Sequence, residues 1–372
     1  MGGAASLMLS SSGAYKLALP LTHRREHRFV VRTVDGVILT ETPVPIGSGS
    51  VRAQLTSRVS RSATFTTSAE WFPVNPADTM SPYHAIAEIY SGIGYPTGES
   101  EVFPVFTGRI YNARMATDGG VTFRADDLAA EVLAADFEQP LNSRPGGSVI
   151  AEMERIILQA FPWATFGTHD VTDAVVPRLT WDNDPGKALD DLAAVVGGRW
   201  FTLGNGDFVI RRYAYTDLTP VTTLTDGPTG LLSACTLDVT ADDSYNAVVV
   251  TAERVDGGDP IRVMDRDDNY LSPTFYGGLF GKRLRQVRAQ SAATIADAQR
   301  LAAAQLAAST ALSRQATLVA VPDMTIEPGD IAAIQWRGIS DVHAVDSLVY
   351  PLDPTTGMSL ATRSAVTAVV SI

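Results

Sequence analysis

Two carboxylates, Glu327 and Asp330, bracket a Pro-Gly step in the stretch IEPGDIAAIQ, residues 326–335. Paired acids can hydrolyse glycosidic bonds, one as acid and the other as base or nucleophile. The residues between them argue for a reversal instead. Pro328 fixes φ at the second place and Gly329 accepts a positive φ at the third, as a type II turn requires. Carboxylates beside such a turn are expected to face solvent. Neutralising both, Glu327→Gln with Asp330→Asn, should then leave assembly nearly intact, whereas Pro328→Ala with Gly329→Val should weaken it.

Other groupings have the residue types for chemistry but not the setting. HRREH, from His23 to His27, has the H-x-x-E-H form in which two imidazoles one helical turn apart hold zinc. The following RFVVRTV has β period, so the two rings are not expected on one helix face. DRDDNY starts like an EF-hand loop with Asp265, Asp267 and Asn269, but Tyr270 replaces the turn glycine and Tyr276 the bidentate acid. A solvated polar loop fits it better, with an irregular Ca²⁺ site as the alternative. Gly186-Lys187 in DPGKALDD lacks the glycine arch and hydroxyl of a phosphate loop. No G-x-S-x-G elbow occurs, and His84, His169 and His343 stand alone in sequence. Cys235 is the single cysteine, so no intrachain disulfide forms, and its apolar neighbours suggest an inert thiol on a strand. No catalytic, cofactor-binding or metal-ligating residue is assigned, and no cofactor is expected.

The elements that hold these residues are mostly strands. Residues 27–110 alternate at β period, with Asp35-Gly36 as a two-residue hairpin signal and Asp118-Gly119-Gly120 as a turn further on. After Pro145-Gly146-Gly147 the period changes, because Val149, Ile150, Met153, Ile156 and Ile157 recur at helical spacing. A second helix is capped by Asp184, starts at Pro185, carries Leu189, Leu192, Val195 and Val196 on one face, and stops at Gly197. A hairpin turning at Gly204–Asp207 follows. Strands resume beyond Leu231, interrupted by the polar loop and by one helix whose Thr294 and Asp297 form a capping box.

The chain of 372 residues is long enough for two to four domains. The expected class is α+β, mostly β: two tube-like antiparallel β domains, a small α+β domain and a helix-containing insertion. The expected division is an N-terminal arm at 1–22, a first tube-like domain at 23–141 and an α+β domain at 142–230. The second tube-like domain takes 231–260 and 310–372, and a loop-plus-helix insertion takes 261–309. The arm formally matches a myristoylation pattern at Gly2 and Ser6, but its Gly, Ala and Ser content reads as a flexible or docking segment.

With 29 Lys plus Arg against 41 Asp plus Glu, the net charge is −12, which argues against a main task of gripping phosphate backbones. The most basic run, GKRLRQVR at 281–288, reads as a strand edge or subunit contact. No apolar run approaches membrane-spanning length, and no membrane insertion is expected.

Several stretches, in this order, resemble the tail hub proteins of long-tailed bacteriophages, also called baseplate hub or minor tail proteins. In the first half they are FPVNPADTMSPYHAIAEIYSGIG and EVFPVFTGRIYNARMATDGGVTFRADDLAAEVL, whose last strand ends at Asp126 or Asp127. The middle contributes ALDDLAAVVGGRWFTLGNGDFVIRR. The last third adds YNAVVVTAE, DRDDNYLSPTFYGG, the Ala-rich helix, VAVPDMTIEPGDIAAIQ and VDSLVYPLDPTTGMSLATR. The resemblance spans about residues 28–365, and its specificity lies in the order of short motifs.

It implies a homotrimer that closes the distal end of the tail tube as a pseudo-sixfold ring, with a lumen passing DNA or the tape-measure protein. Implied partners are the distal tail or tail tube protein on one face and the central fibre or other tip proteins on the other. The implied location is the tip of the virion tail, after assembly in the host cytoplasm, with a role in genome ejection. DNA would pass without specific binding. No insertion is large enough for a peptidoglycan hydrolase, so the expected role is structural and not enzymatic. Two alternatives stay open: a tail-associated cell-wall hydrolase using Glu327, Asp330, Glu152 or Asp184, and a receptor- or glycan-binding β protein using aromatics such as Trp71 and Tyr83.

Overall fold

The computed structural model describes residues 11–40, 45–212, 218–239, 244–252, 259–289, 294–310 and 314–364. Gly2 and Ser6, and the segment beyond Ser364, lie outside them. A short helix, α1 (Gly13–Ala18), is capped by Ser12 and buries Tyr15. The first strands are β1 (Arg24–Arg32), β2 (Ser48–Gln54), β3 (Arg61–Thr67), β4 (Ile86–Gly94), β5 (Ser100–Met115) and β6 (Val121–Asp127). β3 and β6 alternate strictly, and Ala63, Phe65, Val121, Phe123 and Ala125 all point into the core. β4, between β1 and β5, is buried almost throughout because both its faces are covered, Ala87, Ile89 and Ile93 by the main core and Ile86 by the helical cluster.

A mainly helical stretch comes next: α2 (Ala129–Ala134), β7 (Leu141–Asn142), α3 (Val149–Ala160), β8 (Thr180–Trp181) and α4 (Pro185–Val195). The predicted stripes of α3 and α4 face each other. Val149, Met153, Ile156 and Ile157 share a buried cluster with Leu189, Leu192 and Val195. Asp184 caps α4 by accepting the Lys187 N–H at 2.9 Å, and Gly197 stops it with a φ of 67°. β9 (Gly198–Thr202) and β10 (Phe208–Arg212) form the expected hairpin.

The remaining strands divide between two sheets. β11 (Thr222–Thr225) and β12 (Leu232–Asp238) precede β13 (Ala247–Ala252), β14 (Ile261–Arg266), β15 (Leu284–Arg288) and α5 (Ile295–Thr310). β16 (Gln315–Ala320), β17 (Ile331–Trp336), β18 (Ile339–Pro351) and β19 (Met358–Ser364) close the chain order. A sheet of 12 strands runs β1-β4-β5-β6-β3-β2-β18-β19-β16-β12, with β17 on β18 and β11 parallel to β17. Its halves join where Ser347–Pro351 of β18 pairs antiparallel with β2. One core serves both halves, reaching from Phe29 and Phe123 to Leu318 and Leu360 and taking in Tyr15 and Leu19 of the arm. Among the described residues this sheet does not close on itself, because β1 and β12 each have a strand on one side only.

The fold is mostly β with large antiparallel sheets. Two local readings differ from it. Asp35-Gly36 does make a tight turn, with φ of 91° at Gly36, but its second arm is only a bridge from Ile38 to Arg32 on the edge of β1 away from β4. Ala247–Ala252, within the stretch 231–260, pairs with β14 and β15 in a separate sheet. α5 packs on that sheet through Ala298, Leu301 and Ala302, and its Thr294–Asp297 capping box is formed.

Candidate functional site

The Glu327–Asp330 turn has the expected shape. Gly329 has φ of 90°, and the Asp330 N–H donates to the Glu327 carbonyl at 3.1 Å. Its surroundings are the opposite of those expected: Glu327 is 2% and Asp330 1% exposed. The cause lies far off in sequence. β18 ties the turn inward, since Gly329 N–H donates to Val345 O at 2.6 Å and Tyr350 Oη to Ile326 O at 2.5 Å.

The guanidinium of Arg61, at the start of β3, meets Glu327 in a buried ion pair. Arg61 also donates through Nε to the Thr202 carbonyl at 3.2 Å and through Nη1 to the Val105 carbonyl at 3.0 Å. Its own N–H donates to Asp127 Oδ2 at 2.8 Å, which also accepts from Ser60 Oγ and Thr202 Oγ1, each at 2.6 Å. Arg211 of β10 reaches the turn from the other side, 3.7 Å from Asp330 and donating to the Pro328 carbonyl at 3.3 Å. The β9–β10 hairpin tip is held as well: Thr107 Oγ1 donates to Gly204 O at 3.0 Å, and a Cβ on Gly204 would lie 2.2 Å from the Pro104 carbonyl oxygen. Three parts of the chain thus meet at one polar junction: the first β half, the hairpin and the Pro328 turn.

Burial governs its electrostatics. Desolvation raises Asp127, and it raises Glu327 against the pull of Arg61. Desolvation also pushes Asp330 up to about 7 despite Arg211 nearby. Its Oδ2 accepts the Glu327 N–H at 2.8 Å, while Oδ1 is buried without a hydrogen bond. Arg61 is raised: burial opposes its charge, but Glu327 and Tyr350 together more than restore it. A buried guanidinium needs this carboxylate, so neutralising Glu327 and Asp330 is not a surface change, and the expectation that these carboxylates face solvent is corrected.

The other candidates serve local structure. Glu152 pairs with Arg155 at 2.7 Å and accepts the Arg144 N–H at 3.1 Å, while Asp184 caps α4 and pairs with Arg58 at 3.2 Å. The HRREH segment lies across the start of β1, with His27 Nδ1 3.0 Å from Ser91 Oγ. In the polar loop, Asp267 accepts the Thr274 hydroxyl at 2.6 Å and Asn269 accepts the Leu271 N–H at 3.1 Å, so these oxygens serve the loop itself. Among the described residues no three His, Cys, Asp or Glu gather in a metal-holding arrangement, and no helix is long and apolar enough to cross a membrane. Cys235 is half-buried on β12, where desolvation raises its pKa. Trp71 packs against the core, and Tyr83 is exposed. His343 is buried between Thr362 and Asp341, and His169 accepts the Ile210 N–H.

The ends of the large sheet form a second feature. Val31 turns its main chain away from β4: its N–H donates to Thr40 Oγ1 at 3.2 Å and its carbonyl accepts the Leu39 N–H at 2.8 Å. Alternate residues of an antiparallel strand share that direction, so Arg25, His27 and Phe29 present their main-chain groups at the outer edge of β1. Among the described residues no strand covers them there or lies on the outer side of β12.

No protein-family model matches the sequence, and no curated protein does. Solved structures match along most of the chain. The tail protein from Neisseria meningitidis MC58 aligns with a TM-score of 0.64 at 16% identity, over 91% of this chain and 96% of that one. The 43 kDa tail protein of prophage MuSo2 from Shewanella oneidensis gives 0.60 at 14% identity, over 91% and 98%. Prophage tail protein gp18 from Listeria monocytogenes EGD-e gives 0.55 at 10% identity, over 93% and 97%. At such identities the likeness is one of fold, and the chain has the fold of phage tail proteins.

Proposed function

We propose that this chain is a structural, non-enzymatic tail hub subunit, three copies of which close into a ring at the distal end of a phage tail tube. The observation that carries this reading is the large open sheet, whose two halves share one core and whose end strands β1 and β12 both have an uncovered outer edge. An uncovered edge is a template for pairing. Joining unlike edges of neighbouring copies is a heterologous contact, and such contacts make a ring when the rotation closes. The likeness to tail proteins over about nine-tenths of each chain supports the same role.

In this reading the ring faces the distal tail or tail tube protein on one side and the central fibre or other tip proteins on the other. Its lumen passes the tape-measure protein and DNA without binding DNA specifically, which suits a chain of net charge −12. It belongs to the tip of the virion tail, is assembled in the host cytoplasm and serves genome ejection. No catalytic, cofactor or metal site is assigned to it. The proposed division keeps the units 23–141 and 142–230 but moves the border in the last third, so that β13, β14, β15 and α5 form one unit.

Light scattering on the purified chain tests this reading: a mass of three chains, with closed rings in electron micrographs, is expected. A monomer at every concentration, in the presence and absence of tail tube protein, would overturn it. Zymography on host cell walls tests the enzymatic alternative, and clearing by folded protein would replace the structural reading.

A further inference from the structure

The small sheet β14-β13-β15 is covered unevenly. α5 packs on β13 and β14, and β13 is buried along most of its length. β15 pairs parallel with β13, yet Leu284, Arg285, Gln286 and Arg288 are all exposed and Val287 is half-buried. Parallel strands are ordinarily buried on both faces, so an uncovered one at an edge is unusual.

The hydrogen bonds show which way the main chain of β15 points. The Arg283 carbonyl accepts the Asn246 N–H at 2.9 Å, and the Ala289 N–H donates to the Thr251 carbonyl at 3.0 Å. The odd-numbered residues therefore serve the ladder to β13. Leu284, Gln286 and Arg288 turn their N–H and C=O groups outward, where no described residue meets them.

Charge indicates what fits there. Lys282, Arg285 and Arg288 lie on or just before this strand in a chain of net charge −12. Lys282 and Arg285 lie over the rings of Tyr276 and Tyr245, and among the described residues no carboxylate is paired with Lys282, Arg285 or Arg288. Leu279, fully exposed, and Leu284 add apolar surface beside them. We propose that β15 is a docking edge to which an acidic, extended segment of a partner protein adds as the next strand. Alternating outward donors and acceptors match a peptide backbone, the cations match acidic side chains, and the combination is a β-augmentation site. A nucleic acid would satisfy the cations but not the outward N–H and C=O groups.

The test uses the whole chain and two capped peptides of about nine residues, one alternating Glu with Val and Thr, the other with Lys in place of Glu. The acidic peptide is expected to bind and to slow hydrogen exchange in the fragment 282–289. Gln286→Pro removes one outward N–H without touching the ladder to β13, so it should weaken binding about tenfold or more while leaving the thermal midpoint unchanged. Lys282→Glu with Arg288→Glu should reverse the preference toward the Lys peptide. Absence of binding, equal binding of both peptides, protection elsewhere, or full binding by Gln286→Pro overturns the proposal. So does protection of the same fragment by single-stranded DNA and not by the acidic peptide.

Discussion

Arg61 shows how far apart in sequence the halves of one interaction can lie. Its partner Glu327 is 266 positions away, and no local pattern in TIEPGDI announces a buried cation. The turn itself was legible because Pro328 and Gly329 determine it locally; the burial of its carboxylates was not, because Arg61, Arg211 and β18 bring it about. Glu327→Gln strands an almost wholly buried guanidinium, and denaturant unfolding should show a loss of about 3–5 kcal/mol. A loss of the few tenths typical of surface changes would mean that Arg61 finds water or another acid. Asp330 makes a prediction about pH. Its folded pKa is raised to about 7, above the ordinary carboxyl value, so its contribution to stability is complete below that ordinary value and is lost as pH rises through 7. The thermal midpoint of Asp330→Asn should therefore fall less than that of the parent chain between about pH 5 and about pH 8. Equal falls would show that Asp330 is ionised beside Arg211 across the whole range.

At the scale of elements, the parts read correctly are those whose signals are local. α3 and α4 were visible in their stripes and caps, and the β9–β10 hairpin in its Gly-containing turn. Sheet membership was less visible. A run such as AVVVTA looks the same whichever sheet receives it, and β13 goes to the small sheet because α5, β14 and β15 together bury it. Pro328→Ala with Gly329→Val attacks the turn twice. Gly329 has φ of 90°, and a Cβ there would lie 2.5 Å from Arg211 Nη1, so valine strains the backbone and displaces the cation holding the hairpin. Urea titration should show a loss of about 2 kcal/mol or more, greater than either stress alone would cause. Thr294→Ala, which removes half of the capping box of α5, should cost only about 1 kcal/mol, since nothing but the helix start depends on it. If the two losses were equal, the Pro328 turn would be an ordinary surface reversal.

At the scale of the whole molecule, the proposed ring makes a geometric demand on β1 and β12. If β12 of one copy continues the sheet beside β1 of the next, their core-side residues must fall on one continuous face. On β1 that face includes Phe29 and, at two-residue spacing, His27 and Arg25; on β12 the half-buried Cys235 packs against the same core. Because Cys235 is the only cysteine in the chain, a second one introduced on β1 reports the contact cleanly. Oxidation of His27→Cys or Arg25→Cys should link the new thiol to Cys235 of a neighbouring copy. Arg28→Cys, on the opposite face, should not link, because a disulfide tolerates Cβ separations of only about 4 Å. A ring of three stops at a covalent trimer on a non-reducing gel. A ladder growing beyond three would mean that the same edges meet without closing, and a product ending at two would place a twofold contact where the ring requires a cyclic one.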